Sequence, residues 1–207
     1  MKASSKDPGI TAYGNLIKAV SFRLLAAEVH LKRGRDLYDE PNLIDLEIAA
    51  LQLRQVCETV LLASFVLHAD FVEDFTSRLR KNDGWDKLKK LLTEQNERFM
   101  PEPVKVVVDP DGFKVLEIIE EDSISSSELF RMWGRFSEAL HYRNPLKAPI
   151  DLGAYLVELS TALVRLTKLL RHHAVHLPDL KVIFLVRITI KDGVPGVTWT
   201  PLNRIPE

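Results

Sequence analysis

The sequence predicts an α+β fold, predominantly a helical up-and-down bundle of about five helices with a small antiparallel sheet from two hairpins. Three observations predict it. Long stretches repeat apolar residues at helical spacing, two stretches rich in β-branched residues flank glycine-containing turns, and no repeat, low-complexity run or clear linker interrupts the chain. The expected organisation is residues 1–177 as the bundle, with a hairpin inserted near 104–119, and residues 178–207 as a C-terminal β-hairpin appended to the same domain.

Tyr13, Ile17, Val20, Leu24, Ala27 and Leu31 recur at helical spacing, so 11–36 reads as one amphipathic helix ending near Gly34. Pro41-Asn42 opens a second helix in which Leu46, Leu53, Val60 and Leu67 repeat by sevens, with Ala49, Val56 and Ala63 at companion positions. A third is expected over about 85–99, stopped by the prolines of MPEPV. KVVVDPDGFKVLEII then turns extended around Asp109-Pro110-Asp111-Gly112, because proline presets φ and glycine tolerates a positive one. A fourth helix begins at Ser125, capped reciprocally with Glu128, and stops at Asn144-Pro145. A fifth runs from Asp151 to about Val175, with Leu152, Leu156, Leu159, Leu163, Leu166 and Leu170 on one face. The tail LKVIFLVRITIKDGVPGVTWTPLN is expected to form a hairpin whose KDGVPG link is richer in glycine than a minimal turn needs. Since an isolated hairpin is marginal in water, 104–119 and 180–200 are expected to share one sheet.

The 207 residues are 46% hydrophobic, enough to bury a real core. A net charge of −1 argues against gripping nucleic acid by bulk charge. Local charge is uneven: 78–90 carries six basic against two acidic residues, and 117–128 carries five acidic and no basic ones. Such runs are most often solvated surface. No run of eighteen apolar residues occurs, and MKASSKDPGITAYG lacks the apolar core of a secretion signal, so a cytoplasmic protein with no membrane partner is expected. Cys57, the single cysteine, lies among apolar neighbours and reads as a small core hydrophobe. Arg54 and Glu58 read as a structural i,i+4 pair, and Trp85, Trp133 and Trp199 are too scattered for a stacking platform. His172 and His176 stand one helical turn apart in HHAVH, but a metal needs three or four ligands and HExxH is absent; no metal and no cofactor is expected. Phosphate loops, nucleophile elbows, CxxC pairs and dinucleotide fingerprints are missing as well.

The stretch RFSEALHYRNP, 135–145, raises the functional question. On a helical wheel Leu129, Met132, Trp133, Phe136 and Leu140 form a core stripe, while Arg131, Arg135, Glu138 and Tyr142 fall on the opposite side. His141 lies on the flank of that polar face, about 120° around the axis from Arg135. Guanidinium matches phosphate oxygens with a fork of permanent donors, and imidazole exchanges a proton near neutral pH. Together they suit cleavage of RNA by its own 2′-hydroxyl without a metal. The structural alternative is that Arg131 and Arg135 make ordinary surface ion pairs with Glu138, and that His141 caps the helix C-terminus.

Arg135-Phe-Ser-Glu-Ala-Leu-His141 fits the R-x4–6-H pattern of the HEPN superfamily, and the bundle of long helices with the motif just before the last one is similar too. LQLRQVCETVLLASFV and GRFSEALHYRNP also look like segments of bacterial HEPN-type proteins. The architectural resemblance covers roughly residues 11–176. It implies a metal-independent endoribonuclease, active as a homodimer with the motifs facing each other, often in toxin–antitoxin or defence systems with a protein partner. Carried over, Arg135 would stabilise the scissile phosphate and His141 would transfer protons or position the nucleophile. Arg131, Glu138, Tyr142 and Arg143 complete the candidate RNA- or phosphate-contacting set. Phe136 departs from the pattern, because the position after the arginine is often polar in active members. The superfamily also contains non-catalytic modules that bind protein or RNA.

Overall fold

The computed structural model describes residues 8–36, 42–67, 90, 93, 98–112, 114–140, 150–177 and 182–203. The fold is α+β. The described helices are α1 (Pro8–Asp36), α2 (Leu43–Val66), α3 (Ser126–Leu140) and α4 (Leu152–Arg171). The strands are β1 (Glu102–Val108), β2 (Lys114–Ile118), β3 (His172–Leu177), β4 (Val182–Lys191) and β5 (Val194–Asn203), in one antiparallel sheet of order β2-β1-β3-β4-β5. The helix expected over 85–99 and the basic run 78–90 fall almost wholly outside the described residues. Contacts divide the chain into two units, one from the described parts of Met1–Lys18, Val60–Ser123 and Lys168–Glu207, the other from Ala19–Thr59 and Ile124–Thr167.

The second unit is helical. The heptad positions of α2 are the ones that bury: Leu46, Leu53 and Ala49 are fully inaccessible, as are Val56 and Cys57. Burial also pushes the Cys57 thiol pKa far up, so this cysteine packs as a small apolar group. Asn42 caps α2 by accepting from the Ile44 N–H at 2.9 Å. The antiparallel register of α1 against α2 is read from His30 on Asp45 at 2.7 Å and from Arg23, whose Nη1 donates to Gln52 at 3.0 Å and also to Gln55. By length and apolar composition α2 matches a membrane span, yet more than half of it is buried within this structure. Its flank carries Gln52, Gln55, Arg54 and Glu58, all in side-chain bonds, as befits a core helix.

Helix α3 opens on the reciprocal cap read from the sequence. Glu128 N–H donates to Ser125 Oγ at 3.2 Å, and Ser125 N–H donates to Glu128 Oε2 at 3.1 Å. That bond, ahead of the Arg165 guanidinium, holds the Glu128 carboxyl below the usual carboxylate range. Ser125→Ala is expected to lower stability by about 1 kcal/mol in urea denaturation, and an unchanged midpoint would show that the cap contributes nothing. Asp151 caps α4 with a single bond, its Oδ1 accepting from the Ala154 N–H at 2.9 Å.

In the first unit the sequence reading needs two corrections. Helix α4 stops at Arg171, and HHAVH continues as strand β3. Cross-strand partners override the helical pattern there: β3 pairs with β4 over six positions, from His172↔Arg187 to Leu177↔Val182. The two expected hairpins do share one sheet, but β3 lies between them, joined to β1 by only Glu102↔Ala174 and Pro103↔His173. The second correction concerns the KDGVPG link. The turn is minimal, with Lys191 opposite Val194 and both central residues at positive φ, Asp192 at 52° and Gly193 at 75°. Such a turn matches the strand twist, so Val194-Pro195-Gly196 is already strand. The first hairpin turns as expected, with Gly112 at φ 86° donating to the Asp109 carbonyl at 3.0 Å.

Candidate functional site

Helix α3 has one face for the core and one for solvent. Leu129 and Phe136 are buried, and Trp133 is half-buried with its Nε1–H donating to Glu58 at 2.8 Å. Glu58 also accepts from Arg54 Nε at 3.1 Å, and the Arg54 guanidinium lies 5.5 Å from the Trp133 ring centroid. The Arg54–Glu58 pair is thus present and serves to seat Trp133. Arg131 and Glu138 are exposed, and the Arg135 side chain is about half so, at 51%.

The Arg135 guanidinium makes the contact that decides what this face can do. Its Nε donates to Glu158 on α4 at 2.9 Å, and its Nη1 reaches Glu138 at 3.4 Å. The hydrogen bond that Arg135 donates to Glu158 is the main reason that its pKa rises further above an already high value. One heptad earlier on α3 the signs are reversed, with Arg165 of α4 donating to Glu128 at 3.1 Å. Glu128 and Arg135 are seven residues apart, as are Glu158 and Arg165, and both helices place the acid first. Run antiparallel, each acid meets the other helix's arginine, which fixes the register of α3 against α4. At these exposures each pair contributes at most about 1 kcal/mol.

Of the sequence candidates, Arg131, Arg135 and Glu138 stand together on this face. His141, Tyr142 and Arg143 lie outside the described residues. The expected Arg135–Glu138 pair is present, whereas Arg131 turns to Glu128, 3.9 Å away. Glu158 escaped the sequence reading; the matching seven-residue spacing of the two acid–arginine pairs was the available signal. Two basic residues of α4 are likewise paired, Arg165 with Glu128 and Lys168 with Asp122 at 2.9 Å.

The histidines of β3 separate by strand alternation. His173 is buried and joins Tyr13 and the Leu170 carbonyl, whereas His176 pairs with Glu102 at 2.8 Å on the other face. Among the described residues no three His, Cys, Asp or Glu side chains converge as a metal would require. Comparison of the chain with protein-family models, with curated proteins and with solved structures finds no match in any of the three.

Proposed function

We propose that this chain is a HEPN-like cytoplasmic endoribonuclease of the toxin or defence type, built on a bundle of about five helices and working as a homodimer beside a partner protein. The observation that carries this reading is the Arg135 guanidinium, exposed on α3 six residues before His141 and oriented through Nε by Glu158. Among the described residues Nη2 has no partner, which leaves a pair of donors for a phosphate oxygen. In the proposed reaction the RNA 2′-oxygen bonds to phosphorus and the bond to the 5′-oxygen breaks, leaving a cyclic phosphate and a 5′-hydroxyl. Arg135 stabilises the charge on the phosphoryl oxygens, and His141 exchanges the protons of the attacking and leaving oxygens. No metal ion is required.

A second reading, a non-catalytic helical module that binds protein or RNA, is favoured by one observation. Arg131, Arg135 and Arg165 are matched by Glu128, Glu138 and Glu158, so this face has little net pull on a polyanion. The test incubates full-length protein with structured and unstructured RNA in the presence of a chelator. The nuclease reading expects Arg135→Ala and His141→Ala each to lose cleavage by at least about 100-fold. The charge swap Arg135→Glu with Glu158→Arg should keep the α3–α4 register and stability yet lose cleavage equally. Inactivity of the wild type alongside all variants would transfer the case to the binding module, and cleavage abolished by the chelator would refute a metal-free mechanism.

A further inference from the structure

The described part of the first unit contains a buried histidine whose protonation state is fixed by geometry. His173 Nδ1 lies 2.8 Å from the Leu170 carbonyl oxygen, which can only accept, so Nδ1 carries the proton. His173 Nε2, 2.8 Å from the Tyr13 hydroxyl, is then the acceptor in the neutral ring, and Tyr13 donates. His173 is wholly inaccessible and Tyr13 nearly so. The pair ties the first turns of α1 to the middle of the sheet, and next to it Gly14 rests against the ring of Trp199 on β5.

We propose that His173 is a proton-operated latch, whose protonation releases the N-terminal turns of α1 from the sheet and bares Ile10, Tyr13 and Ile17. A second proton must sit on Nε2, where it opposes the Tyr13 O–H and, among the described residues, leaves a cation with no carboxylate against it. The groups facing the ring from the described elements are Tyr13 from α1, the Leu170 carbonyl from the end of α4, Pro103 from β1 and Val186 from β4. His172, alongside, adds positive charge when protonated and opposes a second cation. Burial is the main cause that brings the His173 pKa down to about 4, and burial lowers His172 in the same direction.

An opened chain takes up the proton at the ordinary value of 6.5, whereas the latched ring resists it until about 4. Latching is therefore at full strength above pH 6.5 and is lost as pH falls toward 4, the opening constant rising about tenfold per pH unit. The seam between β1 and β3 does not open in this window. Burial pushes the Glu102 carboxyl up, but hydrogen bonds from His176 and Arg98 outweigh it and bring the pKa to about 2. That carboxylate keeps the seam pinned while α1 lets go.

Trp199 supplies the readout. In full-length protein carrying Trp85→Phe and Trp133→Phe, Trp199 emission is followed from pH 8 to 4.5, with the carbon-bound ring protons of His173 followed by NMR. The expected result is a red shift of Trp199 below pH 6.5, coincident with protonation of His173, while the far-UV helical signal is retained. His173→Gln, whose amide can donate to the Leu170 carbonyl and accept from Tyr13 without charging, should abolish the shift. Four results overturn the proposal: Trp199 unmoved to pH 4.5, His173 titrating with no change at Trp199, the shift persisting at the same pH in His173→Gln, or loss of all helical signal in the same transition. Should His173→Gln fail to fold, coincidence of the two wild-type signals decides alone.

Discussion

Replacing Gly14 by valine is expected to destabilise the fold by about 3 kcal/mol, and replacing it by alanine by about 1 to 2 kcal/mol. Alanine at Gly134 should do the opposite and stabilise by about 0.5 to 1 kcal/mol. Both glycines lie inside helices, where the missing side chain costs backbone entropy, so helix propensity favours alanine at either site. Sterics separate them. A methyl group at Gly14 would run into Cζ3 of the Trp199 indole and stand 2.9 Å from Cε3, whereas nothing lies within 4 Å of one at Gly134. The indole is rigid and rests on a strand hydrogen-bonded to β4 along its length, so it yields only by displacing the sheet or α1. Chemical denaturation of the three variants measures the signs directly. Trp199→Leu should turn Gly14→Ala from destabilising to stabilising; a loss that survives in the double variant would mean the indole is not the obstacle.

Local chemistry was legible in the sequence wherever a few neighbouring residues decide the outcome. The Ser125–Glu128 cap, the Asp109–Gly112 turn, the heptads of α2 and the apolar stripe of α3 are all such cases. The failures share a physical cause. HHAVH has no local feature that distinguishes the end of a leucine-rich helix from a strand, and what settles it is β4, ten residues further on, offering six paired positions. The tight turn at Asp192-Gly193 was obscured because the KDGVPG link carries a second glycine, Gly196, which with Pro195 already belongs to β5. On β5, which has one neighbour in the sheet, a missing N–H is tolerated. Glu158 was missed because its partner lies 23 residues away and becomes visible only when two helices are placed antiparallel.

Holding register and binding a phosphate make different demands on Arg135. An arginine used only for register is interchangeable with its partner, since an acid on α3 and an arginine on α4 recreate the same pair. In the proposed reaction Arg135 is not interchangeable, because its donors act together with His141. Stability and activity respond differently to the same swap, and this separation extends to the residue next along the chain.

Phe136→Ala is expected to cost about 3 to 5 kcal/mol, the range for removing a fully buried aromatic side chain. Phe136 is 1% exposed and shares the core stripe of α3 with Leu129, while the neighbouring Ser137 hydroxyl is engaged by the Trp133 carbonyl at 2.7 Å. A cavity there has little freedom to collapse, because Trp133 is itself held by Glu58 and Arg54. Phe136→Leu fills most of the volume and should cost under about 1.5 kcal/mol. Arg135→Ala, by contrast, removes only half-exposed ion pairs and should change stability by less than about 1 kcal/mol. Urea denaturation of the three variants, set beside their RNA cleavage per folded molecule, separates scaffold from site. The arrangement of α3 requires Phe136→Leu to act through stability alone, because residue 136 faces the core about 100° around the helix from Arg135. A Phe136→Leu protein as stable as the wild type but altered in activity would show that the core stripe reaches the reacting groups. A loss of several kcal/mol in Arg135→Ala would show that the arginine's main work is to hold α3 against α4.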